Sequence, residues 1–214
     1  EIVFGDWSSD VCSSDLGTSY VIFRDPKIQV PEPVSVAMRW YNDPGVLPYD
    51  INQHNSGKFS FRSAPGLKAL SFSANGNVNV KVNGESASES EKHSIGNGLT
   101  NYTFTVNKLT EEPSVVDIEI AYQPGYSGAG AFNGYIEQIC GKGKLETGDW
   151  SELDGLRAYS GGMWYRKTIN IDKKAGESIE IDLGDVISSA ELFINGKSAC
   201  TRLEIGRASC RERV

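Results

Sequence analysis

The chain has 214 residues, with 21 Lys+Arg against 28 Asp+Glu and a formal net charge of −7. A chain of this length holds one large or two small domains that bury most of their apolar surface. Its mildly acidic balance, with no Lys/Arg stripe, lacks the footprint that phosphate backbones require, so nucleic acid is excluded as a partner. No apolar run approaches the roughly twenty residues of a spanning helix, and a soluble fragment with no membrane partner is expected.

In chain order, the first stretch is unlike the rest of the chain. "DWSSDVCSSDL", Asp6 to Leu16, written one codon per residue, resembles a short-read sequencing adapter, and Glu1 to Gly5 fits the bases before it. "IGRASCRERV", Ile205 to Val214, resembles the partner adapter in the same way. Matches in one unbroken frame at both ends mark residues 1–16 and 205–214 as adapter-derived, and such scars are set aside before a fold is read. The head carries −4 (Glu1, Asp6, Asp10, Asp15) and the tail +2 (Arg207, Arg211, Arg213, Glu212), so the remainder carries −7 + 4 − 2 = −5. Cys12 and Cys210 fall in the same ends. The remaining pair, Cys140 and Cys200, matches no zinc spacing; the two could pair, but spacing alone does not bring them within bridging distance, and buried free thiols are expected there.

From Gly17 onward the dominant signal is alternation of apolar and polar residues, the period of a half-buried strand. Val34, Val36, Met38 and Trp40 form the first such run. Val78, Val80 and Val82 follow, then Tyr102, Phe104 and Val106, then Val116, Ile118 and Ile120. "ESASESEKHSIGNG", Glu85 to Gly98, is polar throughout and predicts an exposed loop, with His93 a solvated side chain. "CGKGKLETGD", Cys140 to Asp149, reads as a glycine-rich linker, since its GKGK lacks the spacing of a phosphate loop. Ile179, Ile181 and Leu183 make the last clear strand. Asn75-Gly76, Asn83-Gly84, Asn133-Gly134 and Asn195-Gly196 predict tight hairpin turns, because this dipeptide tolerates positive φ. With no sustained 3.6-residue period, the fold class predicted is all-β, an antiparallel β-sandwich.

The chain also echoes itself. "NVNVKVNGES" (Asn77 to Ser86) and "SAELFINGKS" (Ser189 to Ser198) each run a strand into Asn-Gly, a charge and a serine. "GKFSFRS" (Gly57 to Ser63) and "GGMWYRKT" (Gly161 to Thr168) precede them with glycine, aromatics and arginine. A fixed offset suggests two tandem modules, 17–143 and 144–204, although generic hairpin grammar accounts for the same pattern.

"GDWSELDGLRAYSGGMWYRKTINI" (Gly148 to Ile171), followed by "IEIDLGDVISSAELFINGKSA" (Ile179 to Ala199), resembles the galactose-binding-like jelly-roll module of large glycoside hydrolases. The similar domains are the sugar-binding domain of family 2 and the one late in family 106 α-rhamnosidases. Trp150, Tyr159 to Gly162, Trp164-Tyr165-Arg166, Leu183 to Asp185 and the hairpin at Asn195 carry the likeness. It implies a second module cut short at Glu204, with open sheet edges, and a parent enzyme outside the cell or in the periplasm. It also implies carbohydrate and the missing catalytic domain of the same parent chain as partners. No cofactor is expected; the likeness allows a structural calcium ion, but no run has a recognisable oxygen-ligand spacing.

Glycoside hydrolysis needs two carboxylates about 5 to 9.5 Å apart in a cleft. Glu111-Glu112, Glu180 with Asp182, Asp149 with Glu152, and Asp182 with Asp185 are the pairs on offer; Glu111-Glu112 before Pro113 reads as a turn, and Glu180 with Asp182 as a solvated sheet face. His54 and His93 lie in polar contexts that do not serve a serine or cysteine nucleophile. No catalytic residue is assigned. For sugar binding, aromatic faces meet the C–H side of a pyranose while charged groups take its hydroxyls. Trp150, Tyr159, Trp164 and Arg166, with Asp149, are the candidates; the same aromatics serve equally as core elements. A surface adhesin module and a free-standing lectin are the competing readings.

Overall fold

The computed structural model describes residues 2–5, 18–31, 35–38, 56–121, 131–146, 150–169, 179–186, 189–202 and 206–212. They form β1 (Ile2–Gly5), β2 (Thr18–Phe23), β3 (Lys27–Val30), β4 (Ser35–Met38), β5 (Ser56–Pro65), β6 (Leu67–Asn75), β7 (Asn77–Val82), β8 (Glu85–Ser86), β9 (Ser88–Gly96) and β10 (Leu99–Thr105). There follow β11 (Pro113–Ala121), β12 (Ala131–Phe132), β13 (Ile136–Cys140), β14 (Gly143–Glu146), a 3₁₀ turn at Trp150–Glu152, β15 (Met163–Lys167), β16 (Ile179–Val186), β17 (Ala190–Ile194), β18 (Lys197–Arg202) and β19 (Gly206–Glu212). The fold is all-β, as the alternation predicts, and every strand pair is antiparallel.

Two sheets make a sandwich. One is ordered β3-β13-β6-β10-β9, the other β4-β5-β11-β7-β8. Alternate residues of each turn inward: Ile28, Leu70, Phe72, Tyr102, Phe104 and Ile136 from the first, Phe59, Phe61, Val80, Val82, Val116, Ile118 and Ile120 from the second, all buried. Phe132 bridges the layers edge-on, 4.6 Å from Phe59 and 5.2 Å from Phe72 between ring centroids. The chain changes sheets at Gly66 (φ +71) between β5 and β6, and at Gly76 (φ +134) between β6 and β7. Asn75-Gly76 is therefore a corner between layers and not a hairpin. Asn133-Gly134 is not one either, since β12 and β13 run along the same neighbour, β6. Asn83-Gly84 and Asn195-Gly196 are hairpin turns as expected, with positive φ at both residues.

A third sheet, β14-β2-β15-β1-β17-β18, packs its inner side (Val21, Phe23, Met163, Tyr165, Ala190, Leu192) into the same continuous core. The expected linker at Cys140 to Asp149 is in part a strand: Gly143 to Glu146 is β14, paired with β2. Its glycines serve close approach, since a Cβ on Gly143 would lie 2.7 Å from the Pro65 backbone. β2, upstream of the first sandwich, thus shares a sheet with β14 and β15. The segments resembling adapters also take strand positions, β1 between β15 and β17 and β19 beside β16.

The expected loop at Glu85 to Gly98 is instead β8 and β9, closed by an unforeseen hairpin turn at Asn97 (φ 53) and Gly98 (φ 75). All nine residues of β9 are exposed, so no apolar alternation announced it; the backbone ladder to β10 holds it. Cys140 is a buried free thiol, and burial pushes its pKa up to about 12. Cys200, expected to be free, is disulfide-bonded, and not to Cys140.

Candidate functional site

The sequence-derived sugar site divides between core and surface. Trp150 is buried at 6% exposure, where the 3₁₀ turn faces the third sheet, and its ring lies 6.0 Å from Tyr159. Tyr159 is half-buried, packs edge-on against Phe23 at 5.5 Å and donates its hydroxyl to the Gly162 carbonyl at 2.8 Å. Both rings are core elements of this corner, with the polar handle of the tyrosine satisfied. Trp164 and Arg166 lie on the other side of β15, turned outward, with Trp164 40% exposed and its ring 6.2 Å from Phe193. Tyr165, between them in sequence, is buried. Asp149 lies outside the described residues, as do Trp40, Tyr41 and His54. The structure thus brings Trp150 and Tyr159 together, and separates them from Trp164 and Arg166 by the thickness of a sheet.

The carboxylate pairs form no dyad among the described side chains. Glu111 binds Lys144 at 2.9 Å, and that hydrogen bond holds its pKa below the usual carboxylate value. A lowered carboxylate stays ionised, which is opposite to what a general acid needs. Glu152 is exposed, and the side chains of Glu180, Asp182 and Asp185 lie outside the described part. Among the described residues no three His, Cys, Asp or Glu side chains gather as a metal site. No described helix is long and apolar enough to cross a membrane.

One concave feature of the described surface is a groove of about 470 Å³ on the outer side of the β3-β13-β6-β10-β9 sheet. Its shape follows from side-chain size. The two central strands, β6 and β10, present Ser71, Ser73, Asn101 and Thr103 outward, because Leu70, Phe72, Tyr102 and Phe104 occupy the core side. Those short side chains make a floor. Taller ones stand on the flanking strands and loops: Glu91 and His93 on β9, Asn133, Tyr135 and Glu137 on the opposite side. Register places Glu137, Ser71, Thr103 and Glu91 in one row across the sheet.

The floor is held flat by its own hydrogen bonds. The hydroxyls of Ser71 and Thr103 are 2.8 Å apart, and Ser73 donates to the Asn101 side-chain oxygen. On one rim Lys27 meets Glu137 at 3.6 Å. Tyr135, 52% exposed, adds an aromatic ring to that rim. The backbones at Glu137 and Glu91 are three strand spacings apart, about 14 Å. The groove thus presents hydroxyls, the Asn101 and Asn133 amides, the His93 imidazole, the Tyr135 ring and two carboxylates.

Sequence reasoning missed this face. The outward Ser71 and Ser73 were legible in "LSFSAN", but the reading of Glu85 to Gly98 as a loop removed one wall. The other wall depends on β13 pairing with a strand more than sixty residues upstream. Compared with family models, curated proteins and solved structures, the chain matches none of them.

Proposed function

We propose that this chain is a non-catalytic, carbohydrate-binding accessory fragment of a glycoside hydrolase acting on plant or host glycans. The observation behind the reading is the groove on the first sandwich. It offers fixed hydroxyl and amide partners for sugar hydroxyls, and one exposed ring, Tyr135, for the C–H face of a pyranose. The parent reading, an extracellular or periplasmic α-L-rhamnosidase-like enzyme, draws on the resemblance of Gly148 to Ala199 to galactose-binding-like modules. In that reading the catalytic domain belongs to the same parent chain, and this fragment holds glycan near it.

The test is a screen of neutral oligosaccharides followed by calorimetric titration of the best binder. Tyr135→Ala and Asn101→Ala are expected to weaken binding at least tenfold, about 1.4 kcal/mol. Trp164→Ala, on a different sheet, is expected to leave it unchanged. Binding that survives both groove substitutions, or release of reducing sugar by the isolated chain, sinks the reading.

A further inference from the structure

The two Asn-Gly hairpins are built on one plan, and the plan extends to their neighbours. β7 turns through Asn83-Gly84 (φ 52 and 80) into β8; β17 turns through Asn195-Gly196 (φ 50 and 79) into β18. In the second sheet of the sandwich the order is β5-β11-β7-β8, and in the third sheet it is β15-β1-β17-β18. β5 and β15 are the aromatic, arginine-bearing strands of the echoed segments. Each is separated from its hairpin by one interposed strand, antiparallel to both neighbours. The interposed strands differ sharply. β11 has nine residues and is anchored in mid-chain. β1 has four, and pairs with Tyr165, Arg166 and Lys167 of β15 and with Glu191 to Ile194 of β17.

We propose that the gap between β15 and β17 is a strand-acceptor site for an extended peptide segment of the β11 pattern, and that β1 is an exchangeable filler. Both walls of the gap present backbone N–H and C=O groups that must be paired or hydrated, so an empty gap is costly. A strand of four residues makes few ladder bonds and opens at lower free energy than a longer one. A segment about twice as long, running antiparallel to both walls, gains more bonds for the same closure. Side-chain specificity comes from the walls. Positions level with Tyr165 and Leu192 face the core, since both are buried, and positions level with Arg166 and Phe193 face outward. The ligand is therefore a peptide with apolar residues at alternate positions, as β11 has at Val116, Ile118 and Ile120.

The full chain carrying Val3→Pro tests this, because proline removes a ladder donor and is not accommodated in a central strand. Amide exchange at Tyr165 and Leu192 is expected to rise at least tenfold, with β11 and β5 unaffected. A synthetic peptide of residues 113–121 added in excess is expected to restore protection at those two positions, and a scrambled peptide is not. A concentration-dependent dimer that the peptide competes away supports the site, with a second copy as filler. Unchanged exchange in Val3→Pro, loss of protection in the sandwich as well, a dimer the peptide leaves intact, or a peptide that protects other strands each overturns it.

Discussion

The joint between the sandwich and the third sheet turns on one buried side chain, Gln138, which is fully buried on β13. Its Oε1 accepts from the Ala64 amide at 2.9 Å, and its Nε2 donates to the Gly155 carbonyl at 3.0 Å. Gly155 is pressed so close to Ser63 and Ala64 that a Cβ would lie 2.2 Å from the Ala64 nitrogen, and its own amide reaches the Arg62 carbonyl at 2.8 Å. Ser63 accepts from the Ser114 amide at 3.0 Å and closes the network toward β11. An unsatisfied buried group costs more than the bond itself gains. Gln138→Leu, which fills the volume but leaves Ala64 N–H and Gly155 C=O unpaired, is expected to destabilise the chain by about 2–4 kcal/mol. Urea unfolding followed by tryptophan fluorescence measures it, and a loss below half a unit would mean that water replaces the side chain.

At the scale of strands and turns, alternation was informative only where one side meets a core. β7 and β11 follow the runs read from the sequence, and β10 extends to within one residue of its run, because each buries every second residue against the facing sheet. β9 carries charges on both sides and is an edge strand, where exposed polar residues also protect against edge-to-edge association. Its existence is owed to the β10 ladder and the Asn97-Gly98 turn, and neither is a matter of hydrophobic pattern. The Asn-Gly dipeptides show the same limit. Five look alike in sequence, yet three close hairpins, one turns a corner between sheets and one interrupts a strand pair with β6. A dipeptide permits a backbone conformation, and the partners of the flanking strands decide how it is used. The strand-acceptor proposal belongs to this scale too, since it concerns which segment fills a slot whose walls are already formed.

For the whole molecule, the decisive feature is that one cluster of buried residues runs from Val21 and Phe23, through Ala64, Leu67 and Phe72, to Met163 and Leu192. The third sheet draws β2 and β14 from either side of the first sandwich, so its core is not assembled from a contiguous stretch of chain. A shared core and a buried polar joint couple the two parts energetically. Thermal unfolding is therefore expected as a single transition, with far-UV circular dichroism and tryptophan fluorescence coincident. Trp164 lies on β15 of the third sheet and Trp150 in the turn before it, so an earlier fluorescence transition that persists when Trp7 and Trp40 are replaced by Phe would show that part to be an independent unit. Such a result would favour the two tandem modules suggested by the internal echo.

What the sequence determined by itself was local in origin: antiparallel strands from alternation, two hairpins from Asn-Gly, and a net acidic charge. Each depends on a residue and its near neighbours, and each is written in the order of the chain. What only the tertiary structure decided was which exposed side chains stand together. Trp150 and Trp164 are fourteen positions apart in sequence, yet one is buried and the other faces solvent. The groove is assembled from β6, β9, β10 and β13, strands drawn from a span of more than seventy residues. Its floor and walls take shape only once the ladder sets short side chains of β6 and β10 beside longer ones of β9 and β13 in a row.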